Sequence, residues 1–288
     1  MVVSPDVTGE GSVESLAGLR VAVTRSPGTV QPDRLTELLR QAGARPIEAP
    51  LTSTLPPTDP RELASAVAAL HAFDWLVVTS GRTVTPLCDA LERAGITVDS
   101  LRENGLRVCA VGPRTGETLS EAGLEPDLIP ERFRADGVVD ALLGLEDPRR
   151  LKVFFPRAQE GRETIPRLLR EAGAEVVTAA AYRTLPIPGA GTRLSAQVDA
   201  GKIDALTFTA GSAARVFSDA WARRRSDAAG EARARSMSIP TGTKVIALGP
   251  ATASALKSGG IRVDRIADPH TLEGLVSSLQ DCYAARDT

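Results

Sequence analysis

Val108–Gly123 reads VCAVGPRTGETLSEAG, and Val245–Gly260 reads VIALGPATASALKSGG. Each copy opens with a short apolar run, turns on Gly-Pro, and continues with apolar residues at helical spacing until a closing glycine. That grammar is strand, turn, helix, stop. The copies stand 137 residues apart, measured from Gly112 to Gly249.

Two further repeats share the grammar. Leu19 opens LRVAVTRSPGTVQPDRLTELLRQAGARPIEAP, and Leu151 opens LKVFFPRAQEGRETIPRLLREAGAEVVTAA; their ends, Leu38–Ala44 and Leu168–Ala174, lie 130 apart. FDWLVVTSGRTV from Phe73 is matched by IDALTFTAGSAARV from Ile203, again 130 apart. The shift from 130 to 137 places an insertion of seven residues in WARRRSDAAGEARARSMSIPTG, Trp221–Gly242. Its arginines Arg223, Arg224, Arg225, Arg233 and Arg235 are accompanied by Asp227, Glu231 and abundant Ala and Gly, so it is expected to be a solvated or disordered insertion.

The strands LRVAV, WLVVT, VCAV, KVFF, ALTFT and VIAL are apolar almost throughout. Continuous rather than alternating runs belong to parallel strands covered by helices on both faces. The fold class is therefore α/β with doubly wound parallel sheets, in which ligands bind at the carboxyl ends of the strands. Those ends carry TRSPG, TSGRT, VGPRTG, FPRAQEGR, TAGSA and LGPATA. Two proline-rich stretches, Ala49–Pro60 and Ala180–Gly191, each follow a strand-helix-strand unit and read as linker strands between two domains.

Bulk composition limits the function. With 288 residues and 42% hydrophobic content the chain can bury two ordinary cores. Three widely spaced cysteines and two isolated histidines offer no disulfide framework and no metal-ligand spacing, so no metal is expected. A net charge of −2 supplies no overall basic field for nucleic acid or an anionic membrane. No apolar stretch reaches the roughly 20 residues of a membrane span, and the opening MVVSPDVTGEGSVESLAG resembles no signal sequence. A soluble, cytoplasmic protein with a short N-terminal tail is expected. Of the 34 basic residues 30 are arginine, whose planar fork suits carboxylates.

In order along the chain, TSGRTV, VGPRTGETLSEAG, FFPRAQEGRETIPRLLREAGAEV, AYRT, FTAGSAARVF and ALGPATASALKSGG resemble the uroporphyrinogen-III synthase family over residues 19–280. The resemblance implies two similar flavodoxin-like α/β/α domains joined by a two-stranded linker, one of them discontinuous. Carried onto this chain, residues 1–52 join 187–288, and 53–186 form the inserted domain. It further implies an enzyme without metal or organic cofactor, expected as a monomer. Its substrate would be hydroxymethylbilane, a linear tetrapyrrole octacarboxylate, closed to uroporphyrinogen III with inversion of the last pyrrole ring and loss of water.

A carboxylate-rich substrate calls for donors, and backbone N–H groups at helix starts supply them. Gly81, Gly112, Gly211 and Gly249 would let the backbone approach, and the hydroxyls of Ser80, Thr115, Ser212 and Thr252 either reach ligand or cap their helices. Arg25, Arg82, Arg157 and Arg162 lie in or just after strand-end turns, as carboxylate partners or as solvated surface charges. Arg82 and Arg162 match tetrapyrrole-binding positions of the family. Tyr182 in AAYRT matches the family tyrosine that assists hydroxide departure as a general acid; the competing reading is an aromatic packed beside the linker. Ala210 stands where relatives carry a serine, which removes one hydroxyl. Two other functions stay open at this level: a non-catalytic tetrapyrrole-binding or regulatory module, and a generic sugar- or amino-acid-binding two-domain protein.

Overall fold

Alternating residues along the two central strands point into different cores, which explains their unbroken apolar runs. In β4 (Trp75–Val78), Leu76 and Val78 join one cluster while Trp75 and Val77 join another on the opposite sheet face. In β8 (Ala205–Phe208), Leu206 and Phe208 separate from Ala205 in the same way. All eight residues are buried. Each fully buried Leu, Val or Phe contributes roughly 1.5–3 kcal/mol relative to exposure, so the two central strands anchor their sheets.

The computed structural model describes residues 16–26, 33–227 and 238–284. The chain divides into two compact units, Met1–Ser53 with Leu185–Thr288, and Thr54–Thr184. The first unit holds β1 (Arg20–Val23), β2 (Arg45–Glu48), β8, β9 (Lys244–Ala247) and β10 (Arg265–Ile266), in the spatial order β2-β1-β8-β9-β10. Its neighbouring strands all pair in parallel. In chain order this is 2-1-3-4-5, the flavodoxin-like arrangement.

The second unit holds β4, β5 (Arg107–Ala110), β6 (Lys152–Ala158) and β7 (Glu175–Pro186), with β3 (Thr52–Leu55) added outside β7. Strands β4 to β7 pair in parallel, and Leu128 bridges Cys109 beyond β5. Taking β6 as the first strand, β7-β6-β4-β5-Leu128 is again 2-1-3-4-5. The units are thus circular permutants: the first opens on the β1-type strand, the second on the β4-type strand. Neighbours β3 and β7 are the two strands within which the chain passes from one unit to the other.

Four aspartates clip the duplicated sheets alike. Asp204 Oδ2 accepts from the Arg20 N–H at 2.8 Å, and Asp74 Oδ2 accepts from the Lys152 N–H at 2.7 Å. Asp264 Oδ2 accepts from the Val245 N–H and Asp127 Oδ2 from the Val108 N–H, both at 2.7 Å. Each carboxylate satisfies a donor at or beside a strand start that would otherwise lack a partner. Three clips are reinforced by arginine: the Arg20 guanidinium also donates to Asp204, at 2.9 and 2.8 Å, Arg102 donates to Asp127, and Arg262 donates to Asp264 at 3.3 Å.

Two expectations are corrected. Leu16 to Gly18, placed with the N-terminal tail by sequence, pack against the first unit: Leu16 is fully buried and its N–H donates to the Ala42 carbonyl at 3.2 Å. The rest of that tail lies outside the described residues. The insertion expected to begin solvated at Trp221 instead continues the helix Gly211–Asp227. Trp221 is buried and stacks on Phe217 at 5.8 Å, because the i, i+4 stripe of that helix runs on into it. Residues 228–237, with Glu231, Arg233 and Arg235, lie outside the described residues.

Candidate functional site: two strand-end rims

In each unit the carboxyl ends of the β4-type and β5-type strands lead directly into helices. In the second unit, β4 runs into Ser80, a short 3-10 turn Gly81–Thr83 and the helix Val84–Ala94. The Ser80 hydroxyl accepts from the Arg82 N–H at 3.3 Å, so it caps that turn. Gly81 is required by space: a Cβ there would lie 2.9 Å from Thr118 Oγ1 on the neighbouring helix Pro113–Glu121. The Arg82 guanidinium is half-buried at this turn and has no ion-pair partner among the described residues.

The β5 end passes through Gly112 into the helix Pro113–Glu121, with Thr115 buried in its first turn. Gly112 is extended, so its backbone suits any residue; the restriction is again space, since a Cβ would meet Phe133 at 3.3 Å. The N–H groups of a first helical turn have no intrahelical acceptors and carry the positive end of the helix dipole. Gly112 contributes no side-chain cap, and Pro113 occupies the first helical position.

The first unit repeats the plan with different contacts. Its β8 end leads through Ala210 into the helix that begins at Gly211, with Ser212 following and no serine at 210 to cap it. Its β9 end leads through Gly249 into the helix Pro250–Ser258, with Thr252 buried. An added Cβ would find only ordinary contacts, at 3.5 Å or more from Gly211 and 3.9 Å from Gly249. The glycines of the second rim are demanded by close packing, whereas those of the first are not.

The arginines fall into two classes. Arg25, after β1, pairs with Asp33 at 3.4 Å, just before the next helix. Its counterpart Arg157, near the end of β6, pairs with Glu163 just before the next helix and donates to the Gly161 carbonyl at 2.5 Å. Asp33 and Glu163 are equivalent in the repeat, so the same tie between arginine and helix start is built twice. Arg162, by contrast, is exposed and unpaired among the described residues. A small cavity beside Arg25 is lined also by Asp33, Thr36 and Glu48, and there Thr36 Oγ1 is buried without a protein partner among the described residues.

Tyr182 lies on β7 opposite Ala158, where the β6–β7 register shifts. Its carbonyl accepts from the Gln159 N–H at 2.7 Å, and its ring is buried in the cluster that contains Phe154 and Ala181. Among the described residues its hydroxyl has no hydrogen-bond partner. The phenol is therefore held by backbone and packing, with its donor uncommitted. Of the residues singled out by sequence, the structure brings Ser80, Gly81, Arg82, Gly112 and Thr115 to one rim, and Gly211, Ser212, Gly249 and Thr252 to the other. Sequence reasoning missed Phe133, which sits over Gly112 and lies outside the matched motifs.

No helix among the described residues is long and apolar enough to cross a membrane. The family model described as uroporphyrinogen-III synthase HemD matches residues 33–281. The chain is 34% identical over 244 residues to a putative uroporphyrinogen-III synthase of Methanothermobacter thermautotrophicus, covering 84% of this chain and 90% of that one. It is 29% identical over 269 residues to the uroporphyrinogen-III synthase of Synechococcus elongatus, covering 93% and 96%. A crystal structure of a mutant uroporphyrinogen III synthase from the extremely thermophilic bacterium Thermus thermophilus superposes with a TM-score of 0.63 over 93% of this chain and all of that one, at 22% identity, which bears on the fold alone. With the permuted 2-1-3-4-5 sheets and a family match spanning both units, the chain belongs to the uroporphyrinogen-III synthase family.

Proposed function

We propose that this chain is a cyclising hydro-lyase that converts hydroxymethylbilane to uroporphyrinogen III. The observation that carries the reading is the family match over residues 33–281, which takes in both strand-end rims. The reaction begins when a pyrrole nitrogen lone pair expels hydroxide from the terminal hydroxymethyl carbon, leaving an electrophilic azafulvene. The Tyr182 hydroxyl donates a proton to the departing oxygen, which leaves as water. A phenol has a reference pKa of about 10, so this donor is protonated at neutral pH.

The substituted carbon of the last ring then bonds to the electrophilic carbon, giving a spiro intermediate. The bond from that carbon to its original neighbour breaks, and the fragment recloses at the other side, so the last ring is inverted. Loss of a ring proton restores aromaticity and balances the proton supplied by Tyr182. None of these steps needs an oxidant, a metal or an organic cofactor.

Unassisted, the open chain closes without inversion. The protein therefore acts mainly by holding a flexible substrate so that the hindered carbon reaches the electrophile. Arg82 and Arg162, neither committed to an ion pair among the described residues, are the proposed carboxylate partners. The helix starts after Gly112 and Gly249 and the hydroxyls of Ser80, Thr115, Ser212 and Thr252 supply neutral donors. Arg25 and Arg157 shape their loops through Asp33 and Glu163 and offer what donor capacity remains. Incubation of the purified protein with freshly made hydroxymethylbilane, followed by isomer separation, tests the assignment: type III product is expected, and type I alone rejects it.

A further inference from the structure

Of the aromatic side chains in this chain, six Phe, two Trp and two Tyr, all but one are buried. Phe133 is 60% exposed. Its place is not arbitrary, because its Cβ and Cγ lie 3.3 Å from where a Cβ on Gly112 would be. The sole exposed aromatic therefore stands over the start of the helix Pro113–Glu121, at the carboxyl end of β5, where open α/β sheets take their ligands.

The loop that carries it is firmly built. Its start is tied to β5 by the Ala110 N–H, which donates to the Leu128 carbonyl at 2.9 Å. Arg132 pairs with Asp136 at 3.2 Å and also with Asp140. Gly137 lets the next helix approach so closely that a Cβ there would fall 2.1 Å from the Arg132 carbonyl oxygen. The ring is thus held at a fixed place on the strand-end rim rather than on a loose loop.

The repeat supplies an independent check. Adding the same 137 residues that relate Gly112 to Gly249 takes Arg132, Phe133 and Gly137 to Pro269, His270 and Gly274. Gly274 repeats the clamp, with an added Cβ 2.0 Å from the Pro269 carbonyl oxygen, and the His270 ring lies 3.9 Å from a Cβ built on Gly249. Both rims thus place a planar side chain over the rim glycine. His270 Nδ1 is 2.5 Å from the Ala267 carbonyl oxygen, which can only accept, so Nδ1 carries the hydrogen; in the neutral ring Nε2 is then an acceptor.

We infer that Phe133 and His270 are matched substrate-contact residues: Phe133 packs its ring against a pyrrole, and His270 Nε2 accepts from a pyrrole N–H. The inference rests on the proposed function and adds two contacts to it. Pyrrole rings are flat, apolar on their faces and donors at one edge. Each side chain meets one of those two features.

The test uses the full-length protein and reads KM, product isomer ratio and thermal unfolding together. Phe133→Ala is expected to raise KM about tenfold and to increase the type I fraction, as loosely held substrate escapes to unassisted closure, with an unchanged melting temperature. Phe133→Tyr restores wild-type behaviour, Phe133→Leu falls between, and His270→Ala raises KM less than Phe133→Ala. Anaerobic equilibrium dialysis of uroporphyrinogen III separates this inference from the assignment of function. If wild type makes no type III product but binds it, and Phe133→Ala loses that binding, the contact stands and the function falls. A Phe133→Ala protein with wild-type KM, isomer ratio and product binding overturns the contact while leaving the function intact. A wild type that neither makes nor binds the product overturns both.

Discussion

The two units share a scaffold and differ at their rims. Equivalent aspartates clip equivalent strands at nearly equal distances, and equivalent arginines are tied to Asp33 and Glu163. At the strand ends the likeness is partial: the rim glycines and Thr115 and Thr252 match, but their neighbours do not. The second unit has Ser80 capping a 3-10 turn, Arg82 and exposed Phe133; the first has Ala210, Ser212 and His270 at the same places. The aspartate clips and arginine ties kept in both copies hold strands and helix starts together, whereas the side chains that diverged lie at the carboxyl ends of the strands. A tetrapyrrole with one ring to be inverted is not symmetric, and a pair of identical rims would serve it poorly.

The largest expected effect falls where the duplication has diverged, at Tyr182, whose repeat partner is Thr52. Tyr182→Phe keeps the buried ring and removes only the hydroxyl, so the turnover rate is expected to drop about a hundredfold with a native circular dichroism spectrum. An unchanged rate would take Tyr182 out of the chemistry and leave it as packing beside the linker strands.

Next come the clamps, which the comparison says are equal. Gly137→Ala and Gly274→Ala each force a methyl against a backbone carbonyl, and each should cost about 3 kcal/mol in urea unfolding. Unequal costs would show that the loops are not equivalent. Gly144→Ala, in the same helix as Gly137 but with open space around it, should instead stabilise by about 0.5–1 kcal/mol.

A smaller effect probes the divergence itself. Arg82 and Ser212 occupy the same repeat position, one charged and one neutral. Arg82→Gln should raise KM about tenfold and Ser212→Ala no more than about threefold, following the difference between charge-assisted and neutral hydrogen bonds. Equal effects would mean that the rims grip the substrate alike. Thiol reactivity is the gentlest probe. Burial pushes the Cys109 thiol up to about 12, and it also raises Cys88 and Cys282, both less buried. With folded pKa values above the ordinary thiol range, thiolate is scarce at pH 8. Alkylation should therefore be slow at all three and slowest at Cys109, and rapid Cys109 labelling in the native state would contradict the packing of β5.

Much of the architecture was legible because parallel strands covered on both faces leave continuous apolar runs and glycine-stopped helices. The fifth sheet positions were not. Leu128 makes one bridge and β10 is two residues long, too short for any periodicity to register. Trp221 was misread because charge density in the insertion outweighed a single aromatic, while the helix stripe from Phe217 decides its burial. At the candidate site, residue types were readable and their commitments were not. Nothing in TRSPG or FPRAQEGR shows that Arg25 and Arg157 are turned toward Asp33 and Glu163, since those pairs form across loops. Phe133 escaped notice for a related reason: it lies outside the matched motifs, and only the clamp at Gly137 reveals the register that pairs it with His270.

The most direct measurement is the isomer composition of the macrocycle formed when full-length protein meets fresh hydroxymethylbilane and the products are oxidised and separated. Predominantly type III product, reverting toward type I as rim residues are removed, is the predicted result; type I product alone, identical to the protein-free control, would contradict the account.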